Sequence, residues 1–528
     1  DGGTAANSGF STRGAAATFT TTSTGPINIS IDSTTQTYSG GAGVDTIRIS
    51  SRVDATQTIT GGAGTADELI LEGGAYALTA ATGAKVTGFE TLGVAANVTG
   101  TIDMSNLASG FTKLHIIGNS SVAFTKVPNN INLQIDKATT QVTLVMNDAT
   151  GPADTVNVSL GTAISDSVTF GTLIFKDSAS VGVGTLNLVS NGVDITPGDA
   201  VANFNTVVIT DNGLSNFNVS GTQGLRVTTM NQATSQATSI TLNNTNTSSY
   251  GLQIGVLTDS KLTSLNFAGT GLTKITTLTA STTNTLAITN TGDQLATLNA
   301  MTSTASLKNL TLSGNVQIGD GLVGGTGMTL TNTTGLTIDA TEGATRAKLT
   351  MAGAGSGNVD NIMLGNGNNV VTNVSTAGTV NLTVGTGSNY ITLGGATTNS
   401  TGRYNITLDA GSSPDYITVG TGGSTYATTP NYVITGAQTG DRIIFSADGA
   451  SSGNSLSATT PGASLAQTIT AVQAAAAFSH GVAYAVYGGN TYLAQSYSGT
   501  LAATDTTIIE IVGTHSFTAS TGYVTVAS

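Results

Sequence analysis

The chain has 528 residues, of which 38% are hydrophobic and only 9% charged, and its formal net charge is −13. Low charge with ample apolar side chains argues against a disordered chain, and an acidic balance with 16 Lys and Arg and no basic cluster argues against a nucleic-acid partner. There is no cysteine, so thiol catalysis and disulfides are excluded, and stability must come from burial, a metal or assembly.

Thr, Ser, Asn and Gly take the place of charge. Thr suits strands, and Gly and Asn suit tight turns, so the composition predicts many short strands joined by Gly/Asn bends. No apolar run is long enough to predict a transmembrane helix. Asp1 opens the chain without a charged and then apolar leader, so the sequence is expected to be processed or to use another export signal.

In chain order, strand-like segments with a period of two run over residues 45–50, 114–118, 142–147 and 203–210. The middle is the most regular part. Segments at 262–267, 273–278, 285–289, 295–298, 307–312, 328–331 and 336–338 begin roughly a dozen residues apart, separated by Thr/Asn/Gly turns. Such repetition predicts a β-solenoid, with a row of β-sandwich-like modules as the alternative. A helix is predicted over 464–478, capped by Ser464, with Leu465, Ile469, Val472 and Ala476 on one face. A hairpin follows over 482–487 and 491–495, turning at Gly488, Gly489 and Asn490. The expected fold class is therefore all-β, elongated, with one short helix near the C-terminus. The expected regions are an N-terminal β region over 1–230, solenoid repeats over 231–350, a β-roll over 351–445 and a helix–hairpin cap over 446–528.

The motif that carries chemistry is a glycine-rich bend, then Asp or Asn, then a strand. Gly40, Gly41, Gly43, Asp45 and Ile47 fit G-G-x-G-x-D-x-U, where U is a large aliphatic residue. Gly61, Gly62, Gly64 and Asp67 fit with one inserted residue. Degenerate copies carry Gly355, Gly357 and Asp360, then Gly365, Gly367 and Asn369, then Asn389, then Asp415. Glycines allow positive φ and bring backbone carbonyls to a common point, and the carboxylate adds charge there. Oxygens gathered in this way suit Ca²⁺, which takes six to eight of them. The metal ligands expected are thus Gly41, Gly43, Asp45, Gly62, Gly64, Asp67, Gly355, Gly357, Asp360, Gly365, Gly367, Asn369, Asn389 and Asp415, with the Asn sites weaker for want of charge. Asp360 and Asn369 are spaced as two successive bends would require. The competing reading is ordinary turns in a Gly-rich β protein, with Asp and Asn making local hydrogen bonds.

With these bends, the phrases Val86–Leu92, Ile102–Leu107 and Gly110–Leu114, and an ending that runs from Ile434–Ile444 through the helix and hairpin to Asp505–Gly513, the chain resembles the RTX-type proteins exported by type I secretion. More narrowly, it resembles the Gram-negative S-layer proteins of that group, which coat Caulobacter and Campylobacter cells. The resemblance implies a secreted, cell-surface structural protein that self-assembles into a calcium-dependent lattice. It also implies a C-terminal type I secretion signal and attachment to outer-membrane lipopolysaccharide through an N-terminal anchor. No segment here matches that anchor. A type I-secreted adhesin is the alternative.

An enzyme is not expected. His115, His480 and His515 form no H-E-x-x-H motif, and G-x-S-x-G at 449–453 is followed by more Ser, Gly and Thr where a nucleophile elbow needs a helix. A β-helix polysaccharide lyase or epimerase needs clustered carboxylates with Lys, Arg or His on one face, and charge here is sparse. Tyr484, Tyr487, Tyr492 and Tyr497 are read as hairpin packing ahead of ligand stacking.

Overall fold

The computed structural model describes residues 17–31, 35–50, 53, 56–76, 78–108, 110–147, 154–177, 179, 181–193, 204–235, 237–280, 283–302, 304–319, 327–342, 346–373, 377–394, 402–409, 411–420, 430–445, 456–476, 481–496 and 506–528. The 449–453 segment, His480 and Tyr497 lie outside the described residues.

Thr and Asn alternate with Val, Ile and Leu because each strand has one dry face. Thr155–Leu160, for instance, buries Val156, Val158 and Leu160 and turns Thr155, Asn157 and Ser159 outward. Such strands stack in parallel, and the chain forms a β-solenoid of about 16 turns with a few short helices. The sandwich alternative is thereby set aside. The chain divides into two compact units, one of residues 1–260 and 268–273, the other of 261–267 and 274–528.

In the first unit, inward side chains form continuous aliphatic columns. Ile47 stacks on Leu69, Leu69 on Leu92, Leu92 on Leu114, Leu114 on Leu133, Leu133 on Val158 and Val158 on Leu188. Every member is at most 1% exposed, and each contributes about 1.5–3 kcal/mol relative to an exposed side chain. The second unit repeats the device with Leu310, Ile338, Ile362, Leu382, Ile406, Ile434 and Ile511.

The spacing of roughly a dozen residues seen in the sequence is half a coil, because successive strands belong to opposite ladders. Strand Ser264–Ala268 pairs not with Thr273–Thr279 but with Thr285–Asn290, Leu265 lying on Ile288.

Near the C-terminus antiparallel pairs join the parallel ones. Val482–Tyr487, Asn490–Ser496 and Thr506–Ile511 are antiparallel neighbours, and Thr506–Ile511 joins the coil at Ile434. The predicted helix forms over Leu465–Ala475, with Ser464 Oγ accepting from Gln467 N. Its buried Ile469 and Val472 pack with Ala483, Ala485, Tyr492, Ala494 and Ile508, so the Tyr492 ring is hairpin packing. Tyr484 meets Phe517 edge to face at 5.2 Å between ring centroids. Gly488 and Gly489, with φ of 62° and 87°, make the hairpin turn.

Candidate functional site

The glycine-rich bends lie at corners of the coil, where the chain leaves one ladder to enter the other. At such a corner backbone N–H groups point inward with no ladder partner, and each needs an acceptor. The Asp or Asn that follows the glycines supplies it.

In the first unit the acceptors are acidic. Asp45 Oδ1 accepts from Ile27 N at 3.0 Å and Oδ2 from Gly41 N at 3.0 Å. Asp45 N donates to Asp67 Oδ1 at 2.7 Å, and Asp67 N donates to Glu90 Oε2 at 2.9 Å. Asp45, Asp67 and Glu90 thus stack on successive coils, with Asp45 and Asp67 fully buried. Asp67 Oδ2 has no hydrogen-bond partner among the described residues, and neither has the buried Tyr38 hydroxyl. Burial raises the pKa of Asp45. It does the same for Asp67, helped by the charges of Asp45 and Glu90. Tyr38 is pushed far up by burial and by the Asp45 and Asp67 charges.

Glycine is required at this corner by space as well as by φ. A Cβ on Gly40 would stand 1.9 Å from Gly61 O and 2.3 Å from Asp45 Oδ2. One on Gly64 would stand 2.5 Å from Gly43 O and 2.5 Å from Asp67 Oδ1. Gly62 has φ of 114°, and a Cβ there would meet Gly41 O at 2.1 Å.

In the second unit the bends that lead the opposite way, out of the ladder that the Asp45 and Asp67 bends lead into, are built mainly of amides. Asn369 N donates to Asn389 Oδ1 at 3.2 Å, Asn389 N to Asp415 Oδ1 at 2.9 Å, and Asp415 N to Asp441 Oδ1 at 2.9 Å. Asn369 Nδ2 donates to the carbonyls of Gly365 and Gly367, both at 3.1 Å, and to Asn389 Oδ1 at 2.9 Å. Asn389 Nδ2 does the same with Gly385 O, Gly387 O and Asp415 Oδ1. The two glycine carbonyls of each bend thus converge on the amide NH₂ of the Asn that follows them. Burial raises the pKa of Asp415 to about 6, and it raises that of Asp441.

Asp360 and Asn369 do not sit on one stack. Asp360 lies in strand Val359–Leu364, opposite Val380, whereas Asn369 precedes Val370–Asn373 and stacks on Asn389. Asp360 instead serves its own corner, where its oxygens accept from Leu336 N and Ala354 N, both at 2.9 Å. Gly355 N donates to Thr333 O, and Gly357, with φ of 79°, faces open space.

Sequence reading missed Glu90 and Asp441, each the next member of a stack in which neighbours are 20–26 residues apart. It also missed a cluster on the outer face of the first unit. His115 Nδ1 lies 2.7 Å from Glu68 Oε1, and Nε2 lies 2.8 Å from Asp136 Oδ2. Glu68 reaches past an intervening strand because Gly93 is there, where a Cβ would stand 2.9 Å from Glu68 Oε1. Burial opposes a charged ring, but the two carboxylates outweigh it and the His115 pKa is raised. His115 is therefore a clamp between strands.

No family model matches the chain, and no curated protein matches it.

Proposed function

We propose that the protein is a structural β-solenoid of a bacterial surface layer, not an enzyme, and that Ca²⁺ consolidates the first unit's acidic corner. The observation that carries the reading is the buried Asp67 oxygen without a partner, between the carboxylates of Asp45 and Glu90. An unpartnered buried carboxylate oxygen costs on the order of 1–3 kcal/mol or more, and stacked like charges add to that. A hard divalent cation relieves both. The free Asp67 oxygen would hold it, with glycine carbonyls of the same bends as further donors, since among the described residues no three carboxylate or imidazole side chains gather into a metal cluster by themselves.

Calcium then acts by linkage. It binds the folded coil and not the unfolded chain, so it stabilises the coil and any subunit contact built on it. Low calcium before export would leave these coils loose, and high calcium outside would firm them. The resemblance to S-layer proteins and the regular outer rows of Asn and Thr support assembly through the faces of the solenoid, with outer-membrane lipopolysaccharide as the expected attachment.

Electron microscopy and light scattering of the purified protein test this, each with added calcium and with EGTA. Sheets or regular oligomers in calcium that disperse in EGTA are expected. A solitary subunit with the same fold in both buffers contradicts the reading.

A further inference from the structure

In the first unit, strand Ser121–Val127 bulges at Lys126. Thr125 pairs with Val145 and Val127 with Met146, so Lys126 is left out of the ladder. Its φ is 54°, a conformation costly for a side chain of this kind, and Asn130 four residues on has φ of 63°. A bulge of this sort re-aims a side chain, and Lys126 is exposed. Beside it lies a cleft of about 600 Å³. Its floor is apolar, from the buried Met104, Phe111 and Ile131, and its rim carries Lys126, Asn130 and Asn147. That size falls within the range of roughly 300–1,000 Å³ typical of small-ligand sites.

A second depression, of about 340 Å³, adjoins the first on the outer sheet face. The two meet at consecutive residues, Thr112 and Ile131 lining one, Lys113 and Asn132 the other. The second is floored by a row of amides in register. Asn187 donates to Asn157 at 2.8 Å, and Asn157 to Asn132 at 3.1 Å. This ladder uses one N–H of each donating amide and leaves the other for a ligand, at the interstrand spacing of about 4.8 Å. Neither Lys113 nor Lys126 forms an ion pair among the described residues, although the chain as a whole is acidic.

We propose that the two joined depressions bind an acidic oligosaccharide. A sugar ring offers an apolar C–H face to Met104 and Phe111 and hydroxyls to the Asn rim. Its carboxylate meets Lys126. The chain then continues along the amide row past Lys113, where each sugar finds both a donor and an acceptor. Neutral glycans lack the charge that the two lysines select. No bond is broken in this account, and calcium takes no part in it.

The test is calorimetric titration of the whole chain with tetragalacturonate and with neutral maltotetraose, both in EGTA, so that calcium bridging contributes nothing and the result is independent of the metal reading. Saturable binding of the acidic tetrasaccharide alone is expected. Lys126→Gly, which tolerates the positive φ, and Lys113→Gln should each weaken it at least tenfold with an unchanged circular dichroism spectrum. No saturable binding of tetragalacturonate, equal binding of the neutral sugar, or unchanged affinity in both variants would overturn the proposal.

Discussion

The first unit's acidic corner and the second unit's amide corner solve one backbone problem with different chemistry. Both cap inward N–H groups with a side-chain oxygen from the neighbouring coil. An amide brings its own hydrogens, and Asn369 spends them on two glycine carbonyls and the next side chain. A carboxylate brings only acceptors and charge. Asp67 is left with an oxygen that nothing among the described residues satisfies, and burial with the neighbouring charges makes Asp67 hold a proton more tightly. A glycine-rich bend followed by Asp or Asn specifies a corner, and on the reading proposed above the choice between acid and amide decides whether a cation is drawn to it.

The largest effect should come from closing the space at the acidic corner. Gly40→Ala drives a Cβ into Gly61 O and Asp45 Oδ2, and a loss of about 3 kcal/mol or more is expected from denaturant melts of this unit. Gly357→Ala, with positive φ but open space, should cost only about 1 kcal/mol. Equal costs would mean that close packing of the coils is not what glycine serves at position 40.

Exchanging the two chemistries comes next. Asp67→Asn should abolish most of the calcium-induced rise in melting temperature of the first unit while leaving its metal-free stability equal or higher. Asn369→Asp together with Asn389→Asp should lower metal-free stability of the second unit by about 2 kcal/mol and make it respond to calcium. Calorimetric melts with calcium and EGTA read both. A calcium response unchanged by Asp67→Asn would break the comparison.

Asp415, the acid that ends the amide run, sharpens it through pH. Its folded pKa, about 6, lies above the ordinary value of 3.8, so the folded state holds the proton more tightly than the unfolded chain. Stability of the second unit should therefore fall as pH rises from about 4 to 6, by on the order of 2 kcal/mol, and then level off. Asp415→Asn should reduce that slope, leaving the part carried by the other buried acids Asp360 and Asp441, and raise stability at pH 7. Denaturant melts across pH 4–7 would read the slope, and an unchanged slope in the variant would assign it to another group.

The smallest effect belongs to the outer amide rows. Asn157 joins Asn132 to Asn187 at the surface, and Asn157→Ala should cost about 1 kcal/mol or less in either buffer, as read by the same melts.

Much of this was legible in the sequence. Alternating Thr and aliphatic residues marked the strands, as at 285–289 within Thr285–Asn290, and Ser464 marked the start of the helix. Paired glycines marked the corners. The length of the coil was hidden, because loops of different size separate stacked positions: 20 residues from Asn369 to Asn389 but 26 from Asn389 to Asp415. Asp360 and Asn369 looked like neighbours for that reason. The His115 clamp was also hidden, since Glu68 and Asp136 lie 47 and 21 residues from it, and only the stacking of strands around Gly93 brings them together.

The most direct measurement is hydrogen exchange by mass spectrometry, comparing peptides spanning 40–49 and 61–71 with those spanning 365–373 and 385–393, with calcium and with EGTA. Calcium should slow exchange in the first pair and leave the second unchanged. Equal protection of both pairs, or none in the first, would contradict the claim that the acidic corner alone draws on a metal.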